Sequence, residues 1–200
     1  MKTNAFDHLR FLIEGVEKLS LECQPLWHPL GFVSCLLKEE KGDYTLRVHY
    51  WPPHERRTKN PDWPIHTHSY TLSSLVINGR VQDIQYKTAV GQEYSIYEVR
   101  YFDGGSEIVK REDNVSIIEA VNLTQVSGNQ YCVERGIFHQ SRVALNASAV
   151  TLVALSEVGE NPPLVLGNSA EYRYPYDRTP FDKATFWGEV KNALSSMGGC

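Results

Sequence analysis

The sequence predicts an all-β barrel or sandwich with a helix at each end. Between Gly31 and Val158 the chain is a succession of short runs rich in Val, Ile, Tyr and Thr, residue types whose side chains fit a pleated, half-buried surface. Turn formers separate these runs at Lys41-Gly42-Asp43, Asn78-Gly79, Gly91, Asp103-Gly104-Gly105, Ser127-Gly128-Asn129 and Asn146. A helical period occurs only outside this stretch, near the two ends.

At the start, Phe6, Leu9, Ile13, Val16 and Leu19 recur at helical spacing, which predicts an amphipathic helix over about residues 5–21 lying against something larger. The β runs then follow in order: GFVSCLL, YTLRVHYW, TLSSLVI, VQDIQYKTA, EYSIYEVRYF, SEIVKR, VSIIEAVNLTQV, QYCVE, IFHQSRV and AVTLVALSEV. Asn78-Gly79 between two of them reads as a two-residue hairpin. Further on, Thr179-Pro180-Phe181-Asp182 offers an N-cap, a proline at the first helical position and an acidic first turn. The helix expected there, over about 180–195, puts Phe181, Ala184, Trp187, Val190 and Leu194 on one face and closes one side of the barrel. Gly198-Gly199-Cys200 reads as a frayed tail. No internal repeat or low-complexity segment interrupts the pattern, so a single domain over 1–200 is expected, with its barrel core at about 31–158.

Composition narrows the function classes. With 200 residues, 42% of them hydrophobic, the chain can enclose one sizeable core. Its net charge of −4 comes from charges mixed along the chain, with no Lys/Arg block to neutralise a row of phosphates, so nucleic acid is not expected as a partner. Asp7, His8, Arg10, Glu14, Glu17 and Lys18 break the apolar residues of the N-terminus and leave no h-region for secretion. No stretch approaches the roughly 20 apolar residues that cross a bilayer. Cys23, Cys35, Cys132 and Cys200 form no CxxC pair or regular framework, which points to a reducing, cytoplasmic compartment. A homodimer is left open.

The chemistry concentrates in three histidines. His66 and His68 are two residues apart in Trp63-Pro-Ile-His-Thr-His-Ser-Tyr-Thr-Leu, and in an extended strand such residues face the same side, with α-carbons roughly 7 Å apart. Two imidazoles can then converge on one ion. His139, in a short apolar run after a glycine turn, is the natural third ligand. Taken alone, an HxH pair is as readily two surface histidines on a strand.

The surroundings favour the metal. Five residues separate Asn60 from His66, and Leu72 and Gly79 follow; Gly128, Glu134, Gly136 and His139 are spaced as a second set. This pattern resembles the cupin superfamily, whose first motif has Gly, HxH, Glu and Gly and whose second has Gly, PxG, His and Asn. The resemblance covers about Gly31 to Val158 and implies a double-stranded β-helix, or jelly-roll barrel, around a metal. Here Leu72, or Ser73 one residue on, stands where the family has its acidic ligand, Glu134 stands for Pro and Val143 for Asn. Loss of the carboxylate leaves three neutral imidazoles, a set suited to iron, zinc, copper or nickel. The full charge of the ion is then left for an anionic substrate to meet.

Such an all-histidine set is similar to the cysteine dioxygenase branch of cupins, which implies Fe(II), dioxygen and a small anionic, thiolate-type substrate. That branch's hydroxyl, histidine and tyrosine relay is absent, since Thr151, Val153 and Leu155 occupy the apparent equivalents and Ser73 replaces the crosslinking Cys. Tyr70, on the face shared with His66 and His68, is a candidate acid/base group, or else a tyrosine filling the barrel and bonding a carbonyl. Arg47, which shares a face with His49 and Trp51, is a candidate clamp for a substrate carboxylate, or else a solvated charge. Glu134 as a fourth ligand and His54 as a lid contact are the lesser readings of two loop residues. Gln140 and Arg142 should point away from the site if His139 points in. Two other functions compete with the oxygenase: a lyase, isomerase or decarboxylase using the ion as a Lewis acid, and a non-enzymatic ligand-binding cupin.

Overall fold

In the computed structural model, residues 2–58, 61–103 and 105–197 are described; Asn60, Gly104 and the Gly198–Cys200 tail lie outside them. The β-prone runs become β1 (Leu26–Trp27), β2 (Val33–Glu40), β3 (Tyr44–Trp51), β4 (Thr71–Phe102), β5 (Gly105–Val126), β6 (Gln130–Val133), β7 (Phe138–Arg142), β8 (Ala149–Ser156), β9 (Leu164–Gly167) and β10 (Arg173–Asp177). A 3-10 turn at Ala5–His8 leads into α1 (Leu9–Glu22), and α2 (Lys183–Met197) ends the described chain.

All the strand pairings are antiparallel. β3, β8, the first part of β4 and β6 lie side by side in one sheet. The extended segment at His66, β7, the later part of β4 and β5 make up the second. From β3 to β9, successive segments alternate between the two sheets except at the β4–β5 hairpin, while β1 and β2 extend the first sheet beside β3 and β10 extends the second beside β5; this is the connectivity of a jelly roll. The expected all-β fold with a helix at each end is therefore present.

Two separate layers of apolar packing explain the strand patterns. Inside the barrel, Phe32, Trp51, Leu72, Val76, Val81, Tyr131, Val133 and Val153 pack together. On the outer face of the first sheet, Val33, Cys35, Leu46, Val48, Tyr50, Leu75, Ile77 and Leu152 meet Leu12 and Leu19 of α1 and Phe186, Trp187, Val190 and Ala193 of α2. Both helices thus cover the back of one sheet, whereas the sequence suggested a helix closing the barrel's side. β8 is apolar along most of its length and buried at every position because it has a packed layer on each face.

Several expectations need correcting. Of the expected apolar face, Leu9, Val16 and Leu19 of α1 pack against the core, while Ile13 is 52% exposed and Phe6, in the preceding 3-10 turn, 58% exposed; Ala5 and Leu12 are buried beside them instead. α2 starts three residues later than expected, because Asp182 Oδ1 accepts from the Thr185 N–H at 2.8 Å and acts as the cap. Thr179 and Pro180 are held instead against β1, where the Trp27 N–H donates to the Thr179 carbonyl at 2.8 Å and Leu26 bridges Pro180. Ala184 is exposed, and Phe186 and Ala193 take its place in the core. The short strands β1, β9 and β10 had no periodic signal, and β9 and β10 carry the sheet pairing beyond residue 158.

Asn78-Gly79 is not a hairpin. β4 runs straight through it, with a bulge between Val76 and Asn78, and crosses there from one sheet to the other. Gly79 has φ +85°, and a Cβ at that position would lie 2.3 Å from the Ser148 carbonyl oxygen. The left-handed backbone and the close approach both demand glycine. Gly79→Ala is expected to cost at least about 2 kcal/mol, the αL penalty plus displacement of β8. A denaturant midpoint within error of the parent would contradict this.

Candidate metal centre

The segment carrying His66 and His68 is not a regular strand. His66 makes a single two-sided bridge, to His139 of β7 and to Val165 of β9, with paired backbone bonds to His139 of 3.0 and 2.9 Å. This bridge fixes the register of the site, because it sets the first ligand directly opposite the third. His68 lies beyond it, where its backbone carbonyl accepts from the Gly136 N–H at 3.0 Å. The tight turn before β7, with Gly136 at φ +77°, thus aligns both segments.

The three imidazoles converge. Ring centroids lie 4.7 Å apart for His66–His68, 4.5 Å for His66–His139 and 4.8 Å for His68–His139. One ring nitrogen from each falls within 4.8 Å of the others. The His66 Nδ1–H donates to the Pro64 carbonyl at 2.8 Å; since a carbonyl can only accept, the proton sits on Nδ1 and the Nε2 lone pair is free. That Nε2 is 3.0 Å from His68 Nε2. Both nitrogens of His139 and Nδ1 of His68 are buried without a hydrogen-bond partner.

Orphaned buried nitrogens are costly, at about 1–3 kcal/mol each, and a shared cation removes the cost for those that ligate it. Burial holds all three imidazoles neutral: His66 is pushed down to about 4 and His68 and His139 well below the usual range, the latter two also by neighbouring histidines. Neutral imidazole is the form that binds a metal. The residues present therefore fit a divalent transition ion.

They face a cavity of about 400 Å³ inside the barrel. Among the described residues no Asp or Glu lines it, whereas Arg47 and Arg178 both do. Arg47 and His49 project inward from β3 because the alternate residues Leu46, Val48 and Tyr50 are taken up by the helical layer behind. Arg47 is thus a cavity residue and not a solvated charge. Burial works against its charge, with Tyr70 opposing that effect and Arg178 adding to it, yet a guanidinium stays protonated at neutral pH.

Tyr70 stacks on His68 with centroids 4.7 Å apart and 16° between planes. Burial, aided by Tyr101 and opposed by Arg47 and Arg178, pushes its hydroxyl up to about 12, so it carries its proton at neutral pH. His49 is pushed down to about 3, by burial first and then by Arg47. His28 accepts at Nδ1 from the Leu30 N–H at 3.3 Å and stacks on Phe32 at 4.3 Å. It too is held neutral, chiefly by burial.

The remaining candidates lie elsewhere. Glu134 is exposed, pairs with Lys2 and accepts from Thr71 Oγ1 at 3.3 Å, so it is not a ligand. His54 is exposed. Leu72 lines the cavity, Ser73 turns away to accept from the Ala5 N–H at 3.0 Å, and neither supplies a carboxylate. Gln140 and Arg142 face away from the site as expected, Gln140 bonding the Tyr86 hydroxyl and Arg142 donating to Gln140 at 3.1 Å. Val153 and Leu155 line the cavity without any proton-carrying group. His28 and Arg178 are two cavity residues that the sequence does not reveal. Both sit in irregular segments, where no periodicity says which way a side chain points.

No family model matches the chain, and no curated protein does. Among solved structures, an RmlC-like cupin from Shewanella frigidimarina NCIMB 400 is 12% identical over 68% of this chain and 86% of its own, with a TM-score of 0.39. Hydroxypropylphosphonic acid epoxidase from S. wedmorenis is 15% identical over 69% of this chain, with a TM-score of 0.40; the match spans only 56% of the epoxidase. A protein with a double-stranded β-helix domain from Klebsiella pneumoniae subsp. pneumoniae MGH 78578 is 11% identical over 76% and 95%, with a TM-score of 0.39. Likenesses this distant carry no chemistry to the present chain, which has to be read from its own residues.

Proposed function

We propose that the chain is a cupin-type mononuclear metal enzyme, with His66, His68 and His139 as ligands of Fe(II), that oxidises a small anionic substrate with dioxygen. One observation carries the reading: three neutral imidazoles, those of His68 and His139 with unpartnered nitrogens, converge on a cavity that holds two arginines and no carboxylate among the described residues. Fe(II) held by these three imidazoles would supply the redox chemistry with dioxygen and a positive charge for the anionic substrate. Arg47 orients the substrate through hydrogen bonds to a carboxylate. Tyr70, protonated and stacked beside His68, holds a proton next to the reacting atoms. The aromatic walls, Phe32, Trp51 and Tyr131, limit water.

This reading is closest to the thiol dioxygenases in its ligand set and departs from them in its proton source. With Thr151, Val153 and Leu155 at the relay positions, Tyr70 takes that part. The same departure favours a second reading, in which the ion acts as a Lewis acid and Tyr70 as acid or base in an elimination or isomerisation.

Oxygen uptake separates the two. Fe(II)-loaded protein is expected to consume dioxygen with a member of a panel of small thiols, amino acids and keto acids. A substrate that is converted without oxygen uptake would move the assignment to the second reading. Without oxygen, the Fe(II) form should bind these anions in preference to neutral sugars, by spectral or calorimetric titration. Tighter binding of the sugars would overturn the anionic substrate.

A further inference from the structure

Arg47 and Arg178 are far apart in sequence and meet at one end of the cavity. Besides the main chamber, they share with Ser34 a side recess of about 140 Å³, and each lies close enough to act on the charge of Tyr70. Arg178 is not on a loose loop. It directly follows β10, which pairs with β5, and the next residues are tied to β1 through the Trp27–Thr179 hydrogen bond of 2.8 Å and the Leu26–Pro180 bridge. Two strands therefore hold it at the rim.

Both guanidiniums lack a neutralising partner among the described residues. Among the described residues neither makes an ion pair, and the side-chain partner of Arg47 is Ser34 Oγ at 3.5 Å, which leaves most of its donors unused. Glu39 acts on Arg47 but is exposed and does not line the cavity. His28 and His49 share the wall as uncharged imidazoles. Two like charges facing one enclosed space, with no counter-charge lining it among the described residues, repel each other and attract anions strongly. A single negative charge would leave one of them unmet.

We propose that Arg47 and Arg178 form a two-point anchor for a doubly charged anionic end group, either a phosphoryl-type group or a pair of carboxylates, on the substrate of the histidine centre. The proposal rests on reading the cavity as a substrate site, and it makes Arg178 the residue that selects dianions over monoanions.

The test is calorimetric titration of chelator-treated and of zinc-loaded protein with inorganic phosphate, malonate and acetate. Phosphate or malonate should bind at least about tenfold more tightly than acetate, the gain of one further charge-assisted contact, in both forms of the protein. Arg178→Gln and Arg47→Gln should each remove that preference, whereas Arg178→Lys should retain part of it, with circular dichroism unchanged. Tighter phosphate binding would assign a phosphoryl-type group and tighter malonate binding a dicarboxylate. Acetate binding as well as the dianions, or a preference that survives Arg178→Gln, would overturn the anchor. Dianion selectivity in a protein that takes up no zinc would keep the anchor and remove the metal; zinc uptake without dianion selectivity would do the reverse.

Discussion

His139→Ala is expected to abolish stoichiometric metal binding and leave the barrel folded. His139 comes from β7 and the other two ligands from one segment on the opposite side of a backbone bridge, so its removal leaves a pair that cannot surround an ion. Losing even an outer partner of a metal ligand costs about 10–100-fold in affinity, and losing a ligand should exceed that. Stability of the metal-free protein should fall much less. Truncating a buried side chain of this size ordinarily costs about 2–5 kcal/mol, but here it also removes two buried nitrogens that lack partners, each a burden of about 1–3 kcal/mol. The two effects oppose each other, and the net loss should stay under about 2 kcal/mol. His66→Ala should likewise lose the metal. Full metal occupancy in either variant would show that the ligand assignment is wrong.

Acid should unfold the metal-free protein through its histidines. His28, His49, His66, His68 and His139 are all held below their ordinary range, chiefly by burial, to about 3 for His49 and about 4 for His66. In the unfolded chain each titrates near about 6.5. Between these limits the unfolded state binds protons that the folded state refuses. The associated stability is fully present above pH 6.5 and is lost as pH falls towards 4. Each group contributes about 1.4 kcal/mol per pH unit across its window, so His49 and His66 alone remove about 7 kcal/mol by pH 4, comparable with a typical stability of about 5–15 kcal/mol, and His28, His68 and His139 act in the same direction. Metal at a hundred times its dissociation constant should add about 2.7 kcal/mol and move the midpoint to lower pH. Denaturant titrations from pH 7.5 to 4 measure this, and a stability that stays level down to pH 4.5 would contradict it.

How much of this was readable in the sequence depended on whether local spacing decides geometry. His66 and His68 share a face in any extended chain, and the turn at Gly136 placed His139 in a strand, so the metal candidates could be read directly. Arg47 could not be oriented. Its inward direction follows from α1 and α2 covering Leu46, Val48 and Tyr50, a fact of tertiary packing that no alternation within β3 reveals. Ile13 of α1 and Phe6 of the turn before it are exposed for a similar reason, since apolar residues lie around most of that segment and the sheet selects among them. Asn78-Gly79 carried a true signal of positive φ, but it marks the point where a continuous strand changes sheet. His28 and Arg178 lie beside the short strands β1 and β10, whose pairing is set by distant partners.

X-ray absorption at the metal edge, on protein loaded with one equivalent of zinc, tests the centre most directly. Uptake of about one ion per chain is expected, with three imidazole nitrogens at about 2.0–2.1 Å and no sulfur or protein carboxylate in the first shell. Failure to retain zinc, or a shell containing cysteine sulfur or fewer than three histidines, would contradict it.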